Sequence, residues 1–253
     1  VSTYEHDGLS LHYEVTGSGP DVLCVHGASG TGAYEWSVLA GALSDRHRMI
    51  LPDLRGHGAS DYRAGEVSIE LVNGDLLELI DHEQATRPHV VGFSFGSEVV
   101  LDLELTNPGT CASLVLISPG LADPKNSVPT REQLTAGWPK TLRRLHVDRH
   151  GEDHWLELMV ELCERAGRRP KADLGALADI ACPILLVVGD QDDPRRVRQA
   201  DLMVQSHPCC TLATIEGGRH AVHKDRPDEV AAAVGAFLDS VAVPMSEPPG
   251  PAR

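Results

Sequence analysis

No apolar run in this chain is long enough to cross a bilayer as a helix, which excludes a helical membrane span. Basic charge is also short. Twenty-two Lys and Arg face 37 Asp and Glu, a formal net charge of −15 that argues against a phosphate-tracking nucleic-acid surface or an anionic membrane partner. The six cysteines, at 24, 111, 163, 182, 209 and 210, show no C-x-x-C spacing. They read as reduced thiols in apolar segments, not as disulfides or metal ligands. The opening stretch Val1–Asp7 lacks the charged and apolar regions of a signal peptide, so the expected compartment is the cytoplasm. There is no dinucleotide fingerprint and no internal repeat, and neither a cofactor nor a metal is expected. Aromatics are few, at three Phe, four Tyr and three Trp, which gives weight to the two tryptophans that fall close together, Trp138 and Trp155.

What the chain does contain is Gly92-Phe93-Ser94-Phe95-Gly96, a G-x-S-x-G string with an apolar run before it and a helix-like stretch to Thr106 after it. Glycines on both sides of a serine suit a strand-to-helix turn too tight for flanking side chains. Such a turn holds the serine in a strained conformation with its hydroxyl lifted above the sheet edge. The bland reading of Ser94 is a helix N-cap. The nucleophile reading demands a base and an acid elsewhere.

Both occur further along. Residues 183–194 form a buried strand pattern ending at Gly189 and releasing Asp190, Asp192 and Asp193. Residues 215–220, Ile-Glu-Gly-Gly-Arg-His, put His220 on a glycine-rich loop after another apolar strand. Asp193 precedes Pro194 and suits a helix cap, and Asp190 is the reserve acid. Asp123 is a remoter one. His223 competes with His220 as base, but the glycines before His220 favour the latter and His223 is expected to face solvent. The order serine, acid, histidine completes a set of Ser94, one of these acids and His220.

With these residues in view the chain resembles the α/β-hydrolase superfamily over nearly its whole length. It is most similar to the small lidded esterase, lactonase and cofactor-free haloperoxidase branch. Gly17-Ser18-Gly19-Pro20 followed by Val22-Leu23-Cys24-Val25-His26-Gly27 is similar to the family's early hairpin and oxyanion strand. Pro52–Ser60 resembles the loop after the next strand, Gly189–Asp192 the G-x-x-D acid turn, and His220–Pro227 the histidine segment. The resemblance selects Asp192 as the acid. It implies oxyanion donors in the backbone N–H groups of Ala28 and Phe95, a structural His26, and an order-giving turn at Asp53, Arg55, Gly56 and Gly58 with Asp53 and Arg55 paired or capping locally. Phe93, where histidine is frequent, and Ser97, where a second glycine is frequent, depart from the common pattern.

Alternating strand and helix patterns predict a mostly parallel sheet covered by helices on both faces. The predicted strands are 10–16, 22–26, 48–52, 90–92, 113–117, 184–189 and 211–216. The predicted helices are 33–44, 69–83, 95–106, 195–205 and 227–242. The core is thus read as residues 1–118 and 179–242. By the resemblance, 119–178 is a small helical cap, with helices near 130–145 and 152–166, and 243–253 is a disordered tail. Trp138, Trp155 and Met159 are candidate pocket residues, with cap packing as the alternative duty. His146, His150 and His154, spaced by four, sit among acids and read as a solvated stretch. The expected function is a serine hydrolase that cleaves a small or medium carboxylic ester, lactone or thioester through an acyl-enzyme, its partner a small acyl substrate. A carbon–carbon bond hydrolase, a perhydrolase, or a non-hydrolytic binding or cyclising protein would use the same residues.

Overall fold

Five consecutive apolar segments set the frame, because each is buried along all or nearly all of its length and must be covered on both sides. In the computed structural model, which describes residues 2–120, 130–137, 140–166 and 174–242, they become the inner strands of one eight-stranded sheet. The strands are β1 (Ser2–His6), β2 (Leu9–Gly17), β3 (Asp21–Val25), β4 (Arg48–Pro52), β5 (His89–Phe93), β6 (Ser113–Ile117), β7 (Ile184–Gly189) and β8 (Cys210–Ile215). Their order is β1-β2-β4-β3-β5-β6-β7-β8. The pairs β1–β2 and β2–β4 are antiparallel, and every later pair is parallel.

Successive side chains on a strand point to opposite faces, and the core divides accordingly. Leu23, Val25, Val90, Leu114, Leu116, Leu186 and Val188 join one cluster. Val22, Cys24, Val91, Val115, Ile117, Leu185 and Val187 join the other. Helices α1 (Gly32–Leu43), α2 (Ile69–His82) and α3 (Phe95–Thr106) follow β3, β4 and β5 in the chain. Trp36 and Leu39 of α1 pack on the second cluster, while Leu76 of α2 and Val100 of α3 pack on the first. Each such leucine or valine taken out of water contributes roughly 1.5–3 kcal/mol.

Between β6 and β7 the alternation stops. Four α-helices occupy the described part of this insertion, α4 (Arg131–Gly137), α5 (Lys140–Arg144), α6 (Val147–His150) and α7 (His154–Ala166), with a short 3-10 helix at Ala176–Asp179 before β7. The sequence pattern predicts two longer helices here. The second matches α7, whereas the first corresponds to α4 and α5 on either side of residues 138–139, so Trp138 lies outside the described residues, as do Asp123 and the tail from 243. Leu134, Trp155, Leu158, Met159 and Leu162 make a third cluster with Val67 of the core, joined by the partly buried Ala28 and Phe95. After β7 come α8 (Pro194–Ser206), α9 (Val222–Asp225) and α10 (Pro227–Ser240). Ala200 and Met203 of α8 complete the first cluster, and Val230, Val234 and Leu238 of α10 the second.

Candidate active site

The site grows from the carboxyl end of β5. Ser94 has φ 50° and ψ −112°, in the left-handed half of backbone space that an L-residue rarely adopts. Its surroundings hold it there. The Ser94 N–H donates to the Ile117 carbonyl at 2.9 Å, at the end of the neighbouring strand. A Cβ on Gly92 would lie 2.5 Å from the Gly96 carbonyl oxygen, and one on Gly96 would lie 2.3 Å from that of Val25. Both glycines are therefore required by close backbone approach, as the G-x-S-x-G spacing predicts.

Ser97, the departure from a second glycine, is accommodated by its hydroxyl. The side chain is buried, and its Oγ lies 2.7 Å from the Gly92 carbonyl and 3.1 Å from that of Ile117. It ties the first turn of α3 to β5 and β6. Phe93, the other departure, packs its ring against His220 and His223, with centroids 5.2 and 4.5 Å away.

His220 and Asp192 meet Ser94 from the ends of β8 and β7. His220 Nε2 lies 3.1 Å from Ser94 Oγ, and His220 Nδ1 lies 3.2 Å from Asp192 Oδ2. Asp192 is buried and its other oxygen accepts from the Asp193 N–H at 2.7 Å. Burial pushes its carboxyl pKa up, but the hydrogen bonds from His220 and Asp193 and the charge of Arg196 outweigh that and leave it below the ordinary carboxylate value. An ionised Asp192 can only accept, so His220 carries its proton on Nδ1 and turns the Nε2 lone pair toward Ser94.

The other acids have different duties. Asp190 accepts from the Gly217 N–H at 2.7 Å, and Asp193 caps α8 by accepting from Arg195 N–H at 2.9 Å. The histidine loop is held from two sides, by a serine the sequence did not single out and by the acid of the histidine segment. Ser118, with φ 45°, donates its hydroxyl to the His220 carbonyl at 2.7 Å, while Asp225 accepts from the Arg219 N–H at 3.0 Å. The available signal was positional: Ser118 ends β6 as Ser94 ends β5.

Three expectations are corrected. His223 does not face solvent. It is buried with Nε2 2.8 Å from Glu35 Oε1, because α9 turns it back under the site against α1. Arg55 and Asp53 are not paired with each other: Arg55 pairs with Asp75, at 2.6 and 2.7 Å, whereas Asp53 caps its own turn, as the alternative has it, by accepting from the Ala59 N–H, and also accepts from Gly32 N–H and meets His12. The histidines of the insertion are not a solvated stretch: His146 is buried, and His154 Nε2 reaches the Gly56 carbonyl at 2.8 Å. The three imidazoles face the core while Asp148 and Asp153 point outward.

His26 is structural, as expected. Its Nε2 accepts from the Leu54 N–H at 3.0 Å, which leaves the proton on Nδ1 for the Gly27 carbonyl at 2.7 Å. Among the described residues no group accepts from the N–H of Ala28 or Phe95. Both residues border the cluster that holds Trp155 and Met159. A strained serine hydroxyl, an oriented imidazole and two open backbone donors together suit attack on an acyl carbon.

Comparison with known proteins agrees with this architecture. A pimeloyl-[acyl-carrier protein] methyl ester esterase of Aeromonas hydrophila is 27% identical over 258 residues, spanning 91% of this chain and all of that protein. A thermophilic esterase from Thermogutta terrifontis superposes with a TM-score of 0.79 at 22% identity, covering 95% of this chain and 97% of that one. The enol-lactonase from Burkholderia xenovorans superposes with a TM-score of 0.78 at 21% identity, covering 94% and 100%. The family model for the alpha/beta hydrolase family matches residues 22–233, from the start of β3 into α10, so strands β3 to β8, the serine turn and the histidine loop fall inside it, and the chain belongs to that family.

Proposed function

We propose that this chain is a serine hydrolase of small or medium carboxylic esters, lactones or thioesters that works through an acyl-enzyme. The observation that carries the reading is the hydrogen-bonded line Ser94–His220–Asp192 at the carboxyl ends of three parallel strands. The esterase and lactonase names among its relatives and structural neighbours support the same reaction class.

In this mechanism His220 Nε2 takes the Ser94 hydroxyl proton as Oγ attacks the substrate carbonyl. The imidazolium gains from the ionised Asp192 beside Nδ1. The carbonyl oxygen becomes an oxyanion and accepts from Ala28 N–H and Phe95 N–H, where one lost donor is worth on the order of a hundredfold in rate. Collapse breaks the bond to the leaving alkoxide or thiolate, which takes the proton back from His220. Water, deprotonated by the same imidazole, then releases the acid and restores Ser94. The helical insertion acts as a cap, with Trp155 and Met159 bounding the acyl pocket above the two donors.

The test is hydrolysis of p-nitrophenyl acetate and butyrate by the wild type and Ser94→Ala, with fluorophosphonate labelling alongside. Turnover and labelling are expected in the wild type and a loss of at least a thousandfold in the variant, roughly the scale of removing such a nucleophile. Hydrolysis that survives Ser94→Ala would overturn the mechanism.

A further inference from the structure

Three successive carbonyls of the loop after β3 each meet a different histidine. Gly27 O accepts from His26 Nδ1 at 2.7 Å, Ala28 O faces His57 Nε2 at 2.9 Å, and Ser29 O faces His146 Nε2 at 3.2 Å. The first two imidazoles belong to the core. The third comes from the insertion, at the start of α6. His146 Nδ1 accepts from the Gly58 N–H at 2.9 Å, so its proton sits on Nε2 and donates to Ser29. The ring is buried and stacks edge-on to His57 with centroids 5.5 Å apart.

We propose that His146 is a positioning residue through which the insertion holds the Gly27–Gly30 loop in the conformation that aims the Ala28 N–H at the reacting carbonyl. The proposal rests on the reading of Ala28 as an oxyanion donor. In a trans peptide the C=O and N–H point in opposite directions, so fixing Gly27 O fixes the line of the Ala28 N–H. The loop carries glycine at both ends, and glycine resists rotation less than any other residue. One internal bond, Gly30 N–H to Gly27 O at 3.2 Å, closes it. His57 has one proton for two facing carbonyls, Ala28 O and Arg55 O, whereas His146 donates to Ser29 O whichever tautomer His57 takes, so His146 is the external anchor that keeps the following peptide plane from turning. Because His146 also holds Gly58, it joins the insertion to two core loops at once. Undocking of the insertion then removes an anchor of the oxyanion loop as well as a wall of the pocket.

Two substitutions separate this role from general packing. Glutamine reaches the Nε2 position and offers Ser29 O an amide donor. Asparagine reaches only the Nδ1 position and retains a partner for Gly58 alone. The measurement is kcat and KM for p-nitrophenyl butyrate, with melting temperature and amide hydrogen exchange over residues 26–30. His146→Asn is expected to lower kcat about tenfold or more with KM little changed, and to speed exchange in the loop. His146→Gln is expected to stay within about threefold of wild-type kcat at a similar melting temperature. Equal kcat in Asn and wild type, an effect confined to KM, or equal losses in Asn and Gln would overturn the proposal. A wild type without Ser94-dependent hydrolysis would instead sink the underlying serine mechanism. Loop exchange still decides then, since unchanged exchange in Asn overturns the positioning role by itself.

Discussion

Glu35 shows how one residue can matter to the site without touching substrate. Its carboxylate is buried between His223 Nε2 at 2.8 Å and Lys224 Nζ at 3.0 Å, and a Cβ on Gly30 would lie 2.5 Å from its second oxygen. Burial pushes its pKa up, but the His223 hydrogen bond and the His223 and Lys224 charges prevail and bring it from 4.5 to about 2. A carboxylate depressed in the fold stabilises fully above its unfolded value and loses that contribution as pH falls through the folded one. Glu35→Gln keeps an acceptor for His223 and removes only the charge. It is expected to lower stability near pH 7 by about 3 kcal/mol, with the difference shrinking between pH 4.5 and 2. Denaturant midpoints of both proteins across that range check it. Equal midpoints at pH 7 would mean that the pair is not what holds α1 under the oxyanion loop. None of this was legible in the sequence, where Glu35 reads as an ordinary first-turn acid of α1. Its partner lies 188 positions away, and no local pattern carries that pairing.

At the scale of elements, legibility followed the strength of the periodic signal. The inner strands β3, β5, β6 and β7 are apolar on both faces, so composition alone marks them, and the glycine bracket marks the turn at Ser94. Strand β1 was missed because Tyr4 is its only buried residue and five residues with one apolar anchor give no alternation to read. The insertion was read as two helices. Its docking was not, since that depends on single polar side chains reaching across to core loops. Glu161 of α7 is the clearest of these: Oε2 accepts from Tyr62 Oη at 2.8 Å and Gly65 N–H at 3.1 Å, and Oε1 from Val67 N–H at 2.9 Å. These bonds seat α7 on the loop that leads into α2. Glu161→Ala strips the acceptor from two backbone N–H groups, each hydrogen bond to a charged group being worth about 1.5–3 kcal/mol. The expected outcome is local: faster amide exchange at Gly65, Val67 and along α7, with the β5–β6 core as protected as before. Exchange that rises equally through the sheet strands would mean that the insertion and the core open as one unit.

Over the whole molecule the histidines give acid sensitivity a direction. Burial drives His57 far below its ordinary value and brings His89, His146 and His150 down from 6.5 to about 4. His154 is lowered too, again by burial. Between pH 6.5 and 4, His89, His146 and His150 are neutral in the fold and protonated in the unfolded chain, and His57 and His154 act in the same direction. The unfolded state therefore binds more protons, and stability falls as pH falls through that window, by about 1.4 kcal/mol per pH unit for each ring fully in this regime. His12, raised by its hydrogen bond to Asp53, works the other way and offsets part of the slope. The depressed Glu35 carboxylate acts lower, from 4.5 down to about 2, so the imidazole contribution can be read separately. Three of the lowered rings, His146, His150 and His154, lie in the insertion, and His57 lies under it. A protonated His146 can no longer accept from Gly58, and a charged His57 would sit between His26 and His146 with no carboxylate of the described residues against it. Acid should accordingly loosen the contact between insertion and core before it unfolds the sheet. Amide exchange at pH 7, 6 and 5, corrected for intrinsic rates, is expected to show protection lost first over residues 26–30, 56–60 and α7. Denaturant midpoints should fall over the same range. A midpoint flat from pH 7 to 5 would mean that these rings find solvent without opening the fold, and the acid sensitivity would then belong to the carboxylates alone.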